Sequence, residues 1–179
     1  MSNVKDTYQL PFKITVENNL RSFQFKIIHN IIPTNLSLHK MNIKETPYCK
    51  NCLFQNEALV HMLLECPVVE PFWNDVLMWW KIKRSDNINT NYSEILYGYK
   101  PETKSFYALN HYFLTAEYPI YVSQEISQST NLKVFLALME NKIKCERQIA
   151  IKSSNCRKCE AKWTTLCICN AWSTSVVCC

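Results

Sequence analysis

A single glycine, Gly98, is present in this chain of 179 residues. At the average usage of about 7%, a chain of this length would contain roughly a dozen glycines. The sequence therefore lacks the glycine-rich phosphate loops of dinucleotide-binding and P-loop proteins, and the glycine-flanked serine turn of α/β-hydrolases. Sheet-rich folds are also disfavoured, because their tight turns need residues that adopt positive φ angles. The sequence predicts a mainly α fold with short loops.

The spacing of apolar residues predicts where the helices lie. A first helix is expected from residue 18 or 19 to about residue 30. Its apolar stripe consists of Leu20, Phe23, Ile27 and Ile31. Pro33 then stops or redirects the chain, and Thr34 or Asn35 can cap a short second helix. The chain is thus predicted to begin its core with a helix pair that precedes a turn-rich loop at 44–56.

Further helical segments are expected at 57–66, from 67 or 71 through 80, at 93–98, at 103–118 and at 131–149. Ser93 can cap one of them, and Pro119 is expected to kink or end another unless a new helix begins there. The apolar stripe of the last one consists of Leu132, Phe135, Leu136, Met139 and Ile143. The four aromatic residues Phe72, Trp73, Trp79 and Trp80 have helical spacing, which favours core positions over base stacking.

Three of the ten cysteines and one histidine have the spacing of a metal site. Cys49, Cys52, His61 and Cys66 form the pattern C-x2-C-x8-H-x4-C. Two cysteines separated by two residues can bind one ion from a tight turn. His61 and Cys66 lie just over one helical turn apart and are expected to face the same point. Three thiolates and an imidazole make a closed tetrahedral set, which predicts one structural Zn²⁺ without an open position for catalysis. The alternative is three free cysteines beside an unrelated histidine.

At these residues the sequence resembles the zinc-binding domain of non-LTR (LINE-type) retrotransposon reverse transcriptases. The similar segments are 10–35, Tyr48 to Cys52, Glu57 to His61, Cys66-Pro67 and Phe72-Trp73, with a looser likeness at 94–98 and 142–150. The resemblance covers about residues 8–150. It implies that Cys49, Cys52, His61 and Cys66 are the zinc ligands.

The resemblance also implies an accessory role in engaging element RNA or target DNA during target-primed reverse transcription. The polymerase itself would lie upstream, in a parent protein that is an RNA-directed DNA polymerase. This chain contains no Tyr/Phe-Ala-Asp-Asp motif and no adjacent acidic pair, so the carboxylates of two-metal nucleotidyl transfer are missing. We therefore expect this chain to be a non-enzymatic part of such a protein. The alternative function is a purely structural or protein-docking zinc module, as in a degraded element fragment.

Charge separates the metal-binding loop from the nucleic-acid candidates. Residues 44–70 contain two lysines and four glutamates, and three thiolates with Zn²⁺ add a further negative charge, which repels a phosphate backbone. Residues 1–43 carry a net charge of +3. The nucleic-acid-binding residues are therefore predicted to be Arg21, Lys26, Lys40, Lys81, Lys83 and Arg84. An ordinary solvated helix face is the alternative interpretation of the same residues.

The predicted organisation is a zinc-binding domain at 1–80, a connector at 81–92, a helical region at 93–150 and a cysteine-rich tail at 151–179. The tail lacks apolar periodicity and is expected to be disordered, although Cys156, Cys159, Cys167 and Cys169 offer a second possible metal site. Cys145 is expected in the core, and the three histidines His29, His39 and His111 in structural roles. Without a signal peptide or a membrane span in the sequence, an intracellular protein of the nucleus or cytoplasm is expected, with no membrane partner.

Overall fold

The computed structural model describes residues 4–84, 91–99, 105–123 and 131–163. Within these ranges the helices are α1 Val4–Ile14, α2 Asn18–Ile28, α3 Asn35–Lys40, α4 Glu70–Arg84, α5 Tyr92–Tyr97, α6 Ser105–Ser123, α7 Leu132–Lys152 and α8 Cys156–Trp163. A π-helical turn, His61–Glu65, lies between α3 and α4. The described residues contain no β-strand, so the predicted mainly α fold is confirmed. No helix of the described residues is long and apolar enough to cross a membrane.

The near-absence of glycine is accommodated at the helix ends. Asn30, Asn42 and Ser154 follow α2, α3 and α7 with φ angles of 50°, 56° and 56°, at positions where glycine is the usual residue. Gly98 follows α5 with φ 88°, and a Cβ atom there would lie 2.2 Å from Cδ2 of Leu10. Glycine thus stands where both the backbone angle and the available space require it.

Helices α1 and α2 form a hairpin whose inner side is apolar. Leu10 and Ile14 of α1 are buried together with Leu20, Phe23 and Ile27 of α2, which confirms most of the predicted stripe. Ile31 is 56% exposed, because α2 ends at Ile28 and the stripe has no helix to continue on. The first helix predicted from the sequence begins at residue 18 or 19, so α1 is a helix that the prediction missed.

Helix α6 is the central helix of the core. It contacts α1, α2, α5, α7, α8 and the π-helical turn. It continues through Pro119 to Ser123, so of the two expected effects of this proline, a kink or an end of the helix, the end does not occur. Phe72, Trp73 and Trp80 are buried against it or its neighbours, and Trp79 stacks on Tyr112 with ring centroids 5.4 Å apart. The predicted core positions of Phe72, Trp73 and Trp80 are confirmed, whereas Trp79 is partly buried at the edge of the core.

The later helices differ from the expectations mainly at their ends. Phe135, Met139 and Ile143 of α7 are buried and Leu132 and Leu136 pack against them, as the stripe predicted. Helix α4 continues to residue 84, so the first residues of the predicted connector are helical. The side chain of Asn91, rather than Ser93, caps α5 by accepting a hydrogen bond from the Ser93 amide at 3.2 Å. Residues from both sides of the predicted connector at 81–92 pack in one hydrophobic core. The predicted domain boundaries stay a prediction.

Part of the cysteine-rich tail packs onto the fold. The expected disorder does not apply to α8, where Trp163 is fully buried and Lys162 nearly so. This helix packs against α6 and α7. Cys167 and Cys169 lie outside the described residues, so the second possible metal site is not described. Cys145 is exposed on α7, and its predicted place in the core is wrong.

Helix α8 is held by a cluster of buried and half-buried ionisable side chains that we call the ionic cluster: Glu17, His111, Lys142, Glu146 and Lys162. The Lys162 ammonium donates to Glu146 at 2.7 Å and to Nδ1 of His111 at 2.8 Å, and it also donates to the Ile14 carbonyl. The indole of Trp163 donates to the same Glu146 carboxylate at 2.9 Å. Glu17 pairs with Lys142 and lies 3.9 Å from His111. The cluster joins the α1–α2 hairpin to α6, α7 and α8.

Burial and neighbouring charges shift the pKa values of the residues in this cluster. The pKa of His111 is lowered to about 4, because the imidazole is fully buried and lies beside the Lys162 ammonium. His111 is therefore neutral at pH 7 and can accept the hydrogen bond from Lys162. The neighbouring His111 and Lys142 lower the pKa of Glu17 to about 2, although burial opposes them. Protonation of His111 would place a second cation against Lys162.

The protein is expected to lose stability in mild acid through His111. The pKa of His111 rises from about 4 in the folded state to its ordinary value of 6.5 on unfolding. The stability that the neutral, buried imidazole contributes is therefore fully present above pH 6.5 and is lost as the pH falls towards 4. The loss should be of the order of 2–3 kcal/mol in the free energy of unfolding. Urea unfolding across this pH range measures it.

The control is His111→Gln, which keeps a side-chain oxygen as an acceptor for Lys162 but does not titrate. Acid release of a bound metal affects both proteins equally, so the comparison isolates the histidine. We expect the destabilisation caused by His111→Gln to shrink between pH 7 and pH 4.5. A destabilisation that stays constant across this range would contradict the assignment.

Candidate metal centre

The first pair of predicted ligands lies at the tip of a small hairpin. The backbone of Tyr48 pairs with that of Asn56, and the Cys49 amide donates to the Gln55 carbonyl at 2.7 Å. Inside this hairpin the Leu53 amide donates to the Cys49 carbonyl at 2.8 Å, which closes a tight turn. Leu53 has φ 66°, a left-handed angle that is costly for a leucine. The turn brings Cys49 and Cys52 together.

The second pair lies across the π-helical turn. The sequence predicts an ordinary helix over 57–66 on which His61 and Cys66 face the same point. This part of the prediction is wrong, because residues five apart on an α-helix point in directions about 140° apart. In the structure the Cys66 amide donates to the His61 carbonyl at 2.9 Å, an i to i+5 bond that widens the turn by one residue. The wider turn places His61 and Cys66 on the same side. His61 and Cys66 therefore converge because the segment forms a π turn rather than an α-helix.

The four side chains converge on one buried position. The ligand atoms of Cys49, Cys52, His61 and Cys66 all lie within 4.8 Å of one another. The sulfurs of Cys49 and Cys66 are 3.9 Å apart, and Cys52 Sγ is 3.4 Å from Nε2 of His61. Zinc bond lengths of about 2.3 Å to sulfur and about 2.0 Å to nitrogen give a tetrahedral site in which two sulfurs are about 3.8 Å apart and a sulfur and a nitrogen about 3.5 Å apart. The side chains therefore fit a tetrahedral Zn²⁺ site.

The electrostatics of the site also suit a cation. Burial raises the pKa of the Cys49 thiol to about 12, although the amides of Cys52 and Asn51 donate to it. Burial acts in the same direction on Cys52, but the amides of Phe54 and Gln55 outweigh it and lower the pKa of that thiol. A dication supplies the charge that would keep both as thiolates. Burial also lowers the pKa of His61, which keeps the imidazole in the neutral form that binds metals.

A buried glutamate supports the hairpin from behind. The Glu57 carboxylate accepts one hydrogen bond from the backbone amide of Asn35 at 3.0 Å and another from the side-chain amide of Asn35 at 3.2 Å. The same Asn35 side chain donates to the carbonyl of Tyr48, the residue before Cys49, at 2.7 Å. Glu57 thus links the start of α3 to the metal-binding hairpin. In the sequence Glu57 stands out only as a negative charge, because no local pattern marks it as buried.

The π-helical turn is anchored to the rest of the core. Leu63 in this turn is fully buried, and its carbonyl accepts a hydrogen bond at 2.7 Å from the Trp73 indole of α4. The turn also packs against α6. A metal bound by His61 and Cys66 would therefore hold both ends of a segment on which α4 and α6 pack. In the described part of the chain, this is the one group of three or more potential ligands that converges.

Comparison with known families agrees with this geometry. Residues 2–73 match the family model described as zinc-binding in reverse transcriptase. No curated protein and no solved structure shows significant similarity to the chain. The match and the four-residue cluster together support a reverse transcriptase zinc-binding domain in the N-terminal part of the chain. A domain of this family is an accessory zinc-binding module rather than a catalytic one.

The predicted nucleic-acid-binding residues lie on three helices. On α2, Arg21 is half-buried and donates from Nε to the Thr15 carbonyl at 2.9 Å, and Lys26 donates to the Tyr121 hydroxyl at 3.2 Å. Lys40 is exposed at the end of α3. Lys81 and Lys83 are exposed near the end of α4, and Arg84 is its last residue. The two cations of α2 therefore have partners within the fold, whereas Lys40, Lys81 and Lys83 extend into solvent.

Removal of the metal is expected to unfold the loop between α3 and α4. Structural zinc contributes about 10–16 kcal/mol of apparent binding free energy, which is comparable to the stability of a whole domain. Chelation should remove the hydrogen-exchange protection of residues 42–66, and Cys52→Ser should greatly weaken zinc binding. The matched control is Cys145→Ser, which changes an exposed cysteine outside the cluster. Unchanged protection of 42–66 after chelation would rule out a metal-held loop.

The substitution Glu57→Gln is expected to destabilise the metal centre. The amide replaces a carboxylate that accepts two hydrogen bonds from Asn35, so one donor loses its acceptor. The expected cost in the free energy of unfolding is about 1–3 kcal/mol, with weaker zinc binding. The control is Glu65→Gln, which removes an exposed charge from the π-helical turn. Urea unfolding of the zinc-loaded proteins compares them, and equal effects of the two variants would argue against a supporting role for Glu57.

Proposed function

We propose that this chain is part of a non-LTR, LINE-type reverse transcriptase and that its zinc module engages element RNA or target DNA during target-primed reverse transcription. The observation that carries the proposal is the family match over residues 2–73, which contains all four converging side chains. The polymerase that performs the chemistry would precede this module in the parent protein. The parent would act in the nucleus or cytoplasm, where its template and target are found.

The distribution of charge supports a division of work within the module. The metal-binding segment 44–70 carries two lysines and four glutamates, and Cys3His zinc adds another negative charge. Such a segment repels phosphates, so the residues that bind nucleic acid lie outside it. The role of the ion is to stabilise the fold of the module. The cations proposed to contact phosphates are Arg21, Lys26, Lys40, Lys81, Lys83 and Arg84.

Charge reversal on α2 is the direct test of this proposal. The variant Arg21→Glu/Lys26→Glu should weaken RNA binding several-fold and make its dependence on salt concentration shallower, because fewer counterions are released. The control reverses two exposed lysines on other helices, Lys133→Glu/Lys158→Glu. Zinc content and far-UV circular dichroism verify that each variant is folded. A wild-type salt slope near zero, or equal effects of the two double variants, would refute the phosphate-binding role of α2.

One observation favours a second candidate function, docking onto a protein. Leu53 and Phe54 lie at the tip of the metal-binding hairpin and are 73% and 67% exposed. Exposed apolar side chains within a segment that has more acidic than basic residues suit a protein surface better than a phosphate backbone. The upstream polymerase domain is the partner this alternative would require. Substitution of Leu53 and Phe54 by serine would then weaken that contact without affecting RNA binding.

A further inference from the structure

The outer side of the α1–α2 hairpin carries a row of aromatic rings next to cations. We call this surface the aromatic face and define it by Tyr8, Phe12, Lys13, Arg21, Phe25 and His29. The rings of Tyr8 and His29 are 5.3 Å apart, and those of Phe25 and His29 are 4.1 Å apart. At the other end of the hairpin the Arg21 guanidinium lies 5.2 Å from the centre of the Phe12 ring. The two helices thus present one continuous surface.

These rings are exposed although the hairpin has a complete core without them. Phe12 is 67% exposed, Phe25 51% and Tyr8 41%, whereas the inner side of the same helices buries Leu10, Ile14, Leu20, Phe23 and Ile27. Single exposed apolar residues are common on protein surfaces, but adjacent aromatic residues on two helices are characteristic of binding sites. The aromatic face therefore has ring surface available for a ligand.

The charge around the rings is positive. Lys13 is exposed and Arg21 is half-buried, with the guanidinium oriented by the Thr15 carbonyl. Between residues 7 and 29 the sequence contains one acidic residue, Glu17. Its carboxylate pairs with Lys142 and lies beside His111, so its negative charge is balanced within the ionic cluster. An anionic ligand would meet cations on this surface without an unpaired carboxylate from this stretch of the hairpin.

We propose that the aromatic face binds single-stranded nucleic acid by stacking unpaired bases on Tyr8, Phe12 and Phe25 while Lys13 and Arg21 contact the phosphates. Exposed rings alternating with cations provide the two interactions that a single strand offers, base faces and backbone charge. A duplex offers only the second, because its base faces are already stacked on one another. This inference rests on the proposed function and specifies which nucleic-acid structure the module selects.

The test compares two probes of equal charge on the zinc-loaded full chain. One probe is a ten-nucleotide oligouridine, and the other is an abasic oligomer with the same number of phosphates. The wild-type protein should bind oligouridine more tightly, and Phe12→Leu/Phe25→Leu should remove that preference. The expected loss is roughly five- to a hundredfold per ring, from the usual strength of stacking between a base and an aromatic side chain. The salt slope should stay unchanged, because leucine alters no charge.

The matched control is Phe54→Leu, which changes a ring of the same exposure on the metal-binding hairpin. It should leave the preference for oligouridine intact. Equal binding of the two probes by the wild type would overturn stacking while the proposed function stands, and absence of binding to both probes would overturn both. Unchanged oligouridine binding by the double variant would also overturn the inference and would make a protein the better occupant of the aromatic face.

Discussion

The convergence of three sulfurs and one imidazole nitrogen within 4.8 Å of one another is the constraint on which the N-terminal part of the structure depends. Burial disfavours the thiolate form of Cys49, so the cluster needs a cation to be charged. The same cluster holds the hairpin and the π-helical turn together. Because the turn carries Leu63 and the carbonyl to which Trp73 donates, the metal-binding loop is also part of the core of the later helices.

A second polar centre performs a similar task without a metal. The ionic cluster joins residues as distant in sequence as Glu17 and Lys162, and each buried charge has a partner of opposite sign close by. Glu117 of α6 differs, because it is fully buried and its carboxyl oxygens make no hydrogen bond. Burial raises its pKa well above the ordinary value, which favours the neutral carboxyl. These buried ionisable groups are thus either paired with an opposite charge or shifted towards the neutral form.

These two centres divide the surface as well as the core. The segment 44–70, which contains the metal-binding hairpin, has more acidic than basic residues and presents Leu53 and Phe54, whereas the α1–α2 hairpin presents aromatic rings with Lys13 and Arg21. Because Glu17 is paired within the ionic cluster, the basic character of the α1–α2 hairpin is preserved. A scaffold with a chemically distinct surface on each hairpin suits the accessory role proposed above.

The sequence by itself determined the mainly α fold, the four converging side chains and the apolar stripes of α2 and α7. These features depend on composition and on spacings within a few turns of chain, where helical geometry relates position to direction. The tertiary structure decided what depends on residues far apart in sequence. It widened the turn between His61 and Cys66, buried Glu57 behind the hairpin, and bound Lys26 to Tyr121. It also placed α8 against the core, because Lys162 and Trp163 donate hydrogen bonds to the buried carboxylate of Glu146. The tail has no apolar periodicity from which this contact could be predicted.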